Sequence, residues 1–298
     1  MKAFFQKPYR WAAVYGGVLT LAFLLALLDA FVIPKSFAVP ESAVTPQALD
    51  KGSVGEAVVT DTSYQDSQIS IQIETLRMYD TTVYVADIVL ADAALLKTAL
   101  AQNTYGRNVK AETSEMAQEH NAILAINGDY YGFRSSGVVL RNGVLYRDSD
   151  QADSLLIDAA GNLSKLDGSL IQSEAYQSGA AWQAFTFGPT LLLSGEVAVD
   201  AGSEVSRSRG SNPRTAIGQV SALHYIWIVS DGRSDASEGL TLLELAELFE
   251  TYGCQTAYNL DGGGSSTMVF DGTVVNTPTD GRSQGEREVS DIVYIGYQ

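Results

Sequence analysis

The 298-residue chain contains one cysteine, Cys254, and only two histidines. A lone thiol excludes an internal disulfide, and its apolar neighbours suit a buried, inert side chain. With so few soft ligands and no ligand spacing among them, a zinc enzyme is poorly supported. Basic residues are also scarce, since 19 Lys+Arg against 35 Asp+Glu leave a net charge of −16. Such a body repels nucleic acid and anionic polymers at long range, so nucleic acid is not an expected partner and any bound phosphate needs a local basic pocket. No Gly-x-Gly-x-x-Gly opens a helix, and no Lys-Ser/Thr follows the chain's one glycine run, which argues against a nucleotide-binding loop. The Gly-x-Ser-x-Gly elbow is missing as well, leaving Ser265 or Ser266 with His224 as a minor serine-hydrolase alternative. Internal repeats are absent.

What is present is a folded, strand-rich composition: 46% hydrophobic, with 27 glycines and 15 tyrosines. Residues 1–10 carry Lys2, Lys7 and Arg10, and residues 11–33 are apolar apart from Asp29. The apolar stretch is long enough to span a bilayer, and its basic flank should stay in the cytoplasm and place the remainder outside the cell. The expected arrangement is a single-pass membrane anchor carrying an extracellular domain. A cleavable signal peptide, with Ser36-Phe37-Ala38 as a small-x-small site, is the alternative and would make the domain secreted. Residues 34–68 hold prolines, small residues and scattered charges without periodicity, which reads as a stalk. The working domain is then residues 69–298.

Within that domain Ile69-Ile71-Ile73 alternates, and residues 83–90 repeat the pattern after Tyr79-Asp80, predicting two strands. Residues 112–121 suit a short helix, with His120 a surface or capping group. The run 123–126 predicts a buried strand that breaks into Asn127-Gly128-Asp129. Hairpins are expected over residues 138–146, around Asn142-Gly143, and over 155–163. Residues 182–199 read as strands broken at Gly188-Pro189 and Ser194-Gly195. Residues 202–212 form a polar loop with Arg207 and Arg209. Arg214-Thr215 then opens a strand, and 224–230 is another, ending at Asp231-Gly232. Thr241 and Glu244 form a capping box for a helix stopped by Gly253, with Leu242, Leu245, Ala246 and Phe249 on its buried face. An Asp271-Gly272 hairpin and a closing strand over 292–297 complete an α+β fold dominated by a mixed or antiparallel sheet.

The chain's most distinctive stretch is Asn259-Leu260-Asp261-Gly262-Gly263-Gly264-Ser265-Ser266-Thr267. Apolar residues flank it, so it reads as strand, tight loop, strand. Consecutive glycines tolerate positive φ and let main chain approach a ligand closely; a plain hairpin turn is the simpler reading. This stretch resembles the signature of the phosphodiester glycosidase family. Further pieces match in the family's order: Asn127-Gly128 before aromatics, Phe187-Gly188-Pro189, Arg214-Thr215-Ala216-Ile217-Gly218, Asp231-Gly232, and Arg287 before Val289-Ser290. The resemblance covers about residues 69–298 and implies hydrolysis of a sugar-1-phosphodiester. One departure is Asp129, where the lysosomal branch of the family has glycine.

Three turns place a carboxylate beside glycine, and Asp261, Asp231 and Asp129 are the candidate catalytic residues. Glycoside hydrolysis uses carboxylates flanking the anomeric carbon. A phosphate leaving group, with a second pKa of about 6, needs little protonation, so arginine and backbone N–H groups can supply much of the assistance. Candidate substrate-binding residues are Asn127, Gly128, Arg214, Thr215, Asn259, Gly262, Gly263, Gly264, Ser265 and Arg287. No cofactor is required by this chemistry, and a calcium or magnesium ion among the aspartates stays open. The expected partners are a carbohydrate-phosphate substrate and, through the N-terminal helix, the membrane. The non-enzymatic alternative is an envelope module that binds a glycan or phosphate polymer without cleaving it.

Overall fold

The computed structural model describes residues 7–38, 55–149, 153–203, 210–281 and 283–297. Four α-helices occur among them: α1 (Pro8–Phe31), α2 (Thr113–Glu119), α3 (Glu174–Gln177) and α4 (Leu242–Thr251). The rest of the ordered structure is sheet, and every pair of strands runs antiparallel.

A nine-stranded sheet forms the backbone of the domain. At its centre His224–Ser230 pairs with both Thr215–Ser221 and Thr81–Leu90. Ile69–Met78 follows on one side, paired in register with Thr81–Leu90 through a turn in which Tyr79 and Asp80 both take positive φ. Side chains alternate across this sheet. Tyr225, Trp227 and Val229 enter the main core with Ile71, Ile73, Ala86 and Ile88. Ile226 and Ile228 face the other way, onto Leu242, Leu245, Ala246 and Phe249 of α4. That helix begins as expected, with Thr241 and Glu244 in reciprocal capping bonds. Such two-sided burial is why residues 224–230 read as a continuous apolar run rather than a clean alternation.

A five-stranded sheet holds Leu124–Asn127 between Met268–Phe270 and Asp291–Ile295, with α2 packed on one face through Met116 and Ala117. A second five-stranded sheet contains the 137–149 hairpin, Ala181–Phe185 and the 154–166 hairpin.

Two boundaries differ from those expected. Val58–Val59 and Ser63–Gln65 pair onto Ile69–Met78, so residues 58–65 belong to the domain rather than to a stalk. Tyr64 is buried in the core there, which a stretch without sequence periodicity gave no reason to expect. Residues just after α1 are docked too: Lys35–Ser36 pairs with Gly106–Arg107, and Asn108 Nδ2 donates to the carbonyls of Ala30 and Ile33 at the end of the helix. Helix α1 itself is largely apolar, exposed over residues 11–29, and long enough to cross a membrane over Tyr9–Phe31. The central part of the expected stalk, and Arg207 and Arg209 of the 202–212 loop, lie outside the described residues.

Candidate active site

The glycine run is no hairpin. Thr256–Asn259 lies in the nine-stranded sheet and Met268–Phe270 in a five-stranded one, so the Asp261 to Thr267 segment carries the chain between sheets. Its path is set by side chains packed against it. A Cβ on Gly262 would come within 2.9 Å of the Pro213 carbonyl, one on Gly263 within 2.8 Å of Arg233 Nη2, and one on Gly264 within 2.6 Å of Arg287 Nη2. Gly263 also has φ +65. The three glycines therefore admit two arginines and the Pro213 backbone to close quarters.

At the tip of this segment, Asp261 Oδ2 accepts a 2.6 Å bond from Ser265 Oγ, and Oδ1 accepts the Gly262 N–H at 2.9 Å. Burial pushes the Asp261 carboxyl up to about 6, against the opposing pull of those two donors and of the Arg287 and Arg134 charges. Asn127 fastens the segment from below. Its Nδ2 donates to the Asp261 carbonyl at 2.6 Å, while its Oδ1 accepts from Thr215 Oγ1 and the Thr267 N–H. Thr215 and Asn127 are thus buried braces beneath the site. Asn259 is likewise buried, its Nδ2 donating to the Gly188 carbonyl.

Asp261 and Ser265 open onto a cavity of about 310 Å³ that is also lined by Asp129, Tyr130, Lys110 and Arg287. Arg287 is paired with Asp280 at the rim and keeps 40% of its side-chain surface exposed. Asp129 is fully engaged: Oδ1 accepts the Tyr131 N–H, and Oδ2 accepts the Thr186 N–H and faces Arg141 Nη2 at 3.0 Å. Behind it Arg141, itself buried, also donates from Nε to Asp291 Oδ2 at 2.8 Å. Burial opposes the charge on this guanidinium, and Asp129 and Asp291 overcome the opposition and raise its pKa. Asp291 is pushed up in turn by burial, against Arg141. Its side chain fills the place of a Cβ at Gly128, which explains why residue 128 is glycine.

Two expected site residues stand elsewhere. Asp231 is not among the residues lining this cavity. It accepts from the Thr277 N–H at 2.8 Å, Asn276 Nδ2 and the Tyr84 hydroxyl, with burial raising its pKa. Asn276 in turn donates to the Ser266 carbonyl and accepts the Met268 N–H, so Asp231 braces the glycine segment from behind. Arg214, expected as a phosphate fork, is buried, with Nε on the Leu240 carbonyl and Nη2 on the Gly210 carbonyl. Sequence reasoning missed Lys110, Arg141 and Asp291, which carry no local motif. Among the described residues no group of three or more His, Cys, Asp or Glu side chains could hold a metal ion. His224 pairs with Asp87, and His120 ends α2 against Tyr294.

The model of the phosphodiester glycosidases matches residues 120–296, which takes in Asn127, the glycine segment and Arg287. The chain belongs to the phosphodiester glycosidase family. Among its relatives is the SPbeta prophage-derived protein YomE of Bacillus subtilis, 31% identical over 202 residues, covering 65% of this chain and 31% of that one. The mouse N-acetylglucosamine-1-phosphodiester alpha-N-acetylglucosaminidase is 40% identical over 67 residues, covering 22% of this chain and 13% of the mouse protein. This chain therefore spans less than a third of the length of either relative. In structure it is similar to the zebrafish N-acetylglucosamine-1-phosphodiester alpha-N-acetylglucosaminidase catalytic domain auto-inhibited by pro-peptide, with a TM-score of 0.62 at 19% identity, over 89% of this chain and 88% of the other. A hypothetical protein from Synechocystis gives a TM-score of 0.56 at 14% identity, covering 76% of this chain and 62% of that one. At such identities the structural likeness speaks for the fold, a single sheet-rich domain of phosphodiester glycosidase type.

Proposed function

We propose that the chain is a hydrolase of sugar-1-phosphodiesters, anchored by α1 with its domain outside the cell, and acting in surface polysaccharide or glycopolymer metabolism. The observation that supports this reading best is the cavity in which a carboxyl of raised pKa, Asp261, and a second carboxylate, Asp129, meet two cations, Lys110 and Arg287. In the proposed reaction a water oxygen bonds to the anomeric carbon as its proton passes to the Asp261 carboxylate. The bond from the anomeric carbon to the phosphate oxygen breaks, and its electron pair leaves on the phosphate. A phosphate monoester is stable as an anion near neutral pH, so no general acid is needed for its departure. Lys110 and Arg287 neutralise the charge that develops there.

In this reading Ser265 orients Asp261, and Asp129 lines the cavity while holding the Tyr130-Tyr131 turn. Asn127, Gly128, Thr215, Asn259, Asp231 and Arg214 position the segments that carry them, and Gly262, Gly263 and Gly264 let the Pro213 backbone, Arg233 and Arg287 in turn close on the loop. The reaction as written uses no cofactor; a calcium or magnesium requirement is decided by activity before and after chelation. The test of the function is incubation of the chain with a panel of sugar-1-phosphodiesters, beginning with those of N-acetylglucosamine, and assay for free reducing sugar. Binding to the whole panel without release of sugar would favour an envelope module that holds such polymers intact.

A further inference from the structure

A second cavity, of about 370 Å³, adjoins the first, and Phe133 lines both. Phe133 stacks on Tyr130 at 4.7 Å, so this aromatic pair forms the partition between them. The two cavities differ sharply in charge. Asp129, Asp261, Asp280 and Glu288 line the first against two cations, whereas among the described residues the second is lined by Arg107, Arg134 and Arg147 with no carboxylate. Three arginines with no counterion among the described residues, in a chain with only 19 basic residues, mark a site for an anion.

The arginines are held for that role in different ways. Arg147 is fixed by its bonds to the carbonyls of Gly137, Tyr131 and Arg134. Arg134 lies 4.8 Å over the Phe187 ring. Arg107 stands exposed at the rim, and its guanidinium makes no hydrogen bond or ion pair among the described residues. Tyr105, stacked on Tyr131 at 5.3 Å, and Phe37 supply an aromatic wall of the kind that receives a sugar face. Phe37 reaches the cavity because its N–H donates to the Tyr105 carbonyl beside the Lys35–Ser36 ladder.

We propose that this second cavity binds the next phosphate of a sugar-phosphate chain, so that the enzyme acts on oligomeric substrates with one repeat in each cavity. The inference rests on the proposed reaction class and adds to it the substrate's length and charge. Single diesters would fill only the first cavity.

The test uses the full chain in uncharged phosphatidylcholine vesicles, with two substrates: methyl N-acetylglucosamine-1-phosphodiester, and a synthetic trimer of N-acetylglucosamine-1-phosphate units joined by phosphodiesters. Arg107→Gln, an exposed rim change, is expected to lower kcat/KM on the trimer about tenfold, chiefly through KM, in line with losing one charge-assisted contact of about 1.4 kcal/mol. Turnover of the single diester should stay within about twofold. Equal losses on both substrates, or none on either, would overturn the proposal. Phe37→Ala gives an independent check and should weaken the trimer alone. If the wild type hydrolyses neither substrate, the reaction class fails, and calorimetric titration then decides the subsite. Trimer binding that weakens about tenfold in Arg107→Gln sustains the subsite, while equal binding by both proteins, or no trimer binding at all, overturns it. An effect of Arg107 seen only with vesicles containing anionic lipid would assign the cavity to the membrane surface and overturn the proposal as well.

Discussion

Ser265 Oγ and Asp261 Oδ2 lie 2.6 Å apart across the glycine turn, so the hydroxyl donates to the carboxylate that burial disfavours. This bond stabilises the charged form and partly offsets the burial. If Asp261 acts as a base, activity should rise with pH through a limb near its value of about 6. Ser265→Ala removes the donor, so the limb should move upward by roughly half a unit to one unit, with full activity recovered at pH 8. The measurement is kcat/KM from pH 4.5 to 9. A limb that does not move on substitution would detach Asp261 from the ionisation that controls the rate.

The three aspartates should separate by role. Asp261→Asn is expected to cost about a hundredfold or more in kcat, as for loss of a general base. It should also stabilise the fold at alkaline pH, and the sign follows from linkage. The folded carboxyl has a pKa of about 6 against an ordinary value of 3.8, so its favourable contribution is present at low pH and lost as pH rises through 6. A neutral amide escapes that loss, and the melting temperature of Asp261→Asn should exceed the wild type's at pH 8 but not at pH 4. Asp231→Asn should behave otherwise, lowering the melting temperature with kcat within about tenfold, because its carboxylate braces the Thr277 N–H and Asn276 rather than lining the cavity. A collapse of kcat in Asp231→Asn with an unchanged melting temperature would return it to the catalytic set.

Much of this fold was legible in local sequence. Asn142-Gly143 turns a hairpin, Thr241 and Glu244 cap α4, and the strand runs around residues 83 and 224 pair with each other in the middle of the large sheet. These features are decided by neighbours along the chain, so propensity and spacing reveal them. The site was legible only in part. Asp261, Ser265 and Arg287 do share a cavity, but a carboxylate beside glycine looks the same at Asp231, where it is a brace. Arg214 likewise looks available before its strand and is in fact consumed by two carbonyls. Arg141 could not be found at all, since its partner Asp291 is 150 residues away and the pairing exists only once two sheets meet.

That buried pairing should dominate stability. Arg141→Met would leave Asp129 and Asp291 facing each other without a counterion, and removal of one member of a buried ion network costs about 3 to 5 kcal/mol. The loss should be steepest at alkaline pH, where both carboxyls must be charged, and should shrink as acid neutralises Asp291, whose pKa burial has raised. Urea unfolding at pH 8 and pH 5 measures both. A midpoint lowered equally at the two pH values would mean that the guanidinium contributes packing rather than charge.

The final prediction concerns which bond breaks. A glycosidase cleaves between the anomeric carbon and oxygen, whereas a phosphodiesterase cleaves between oxygen and phosphorus, and both consume the same substrate. Lys110 and Arg287 in the cavity could serve either reaction, since both steps gather negative charge on phosphate oxygens. The carboxylates discriminate. Asp261 and Asp129 suit an electron-poor anomeric carbon, because negative charge stabilises an oxocarbenium-like transition state, while the same charge would repel a phosphoryl group as it accumulates electrons during attack at phosphorus. Hydrolysis in water enriched in oxygen-18 should therefore place the label on the anomeric hydroxyl of the released sugar and leave the phosphate monoester unlabelled. Mass spectrometry of both products gives the answer in one experiment. Label in the phosphate would assign attack to phosphorus and would require Asp261 to act on a water aimed at that atom instead.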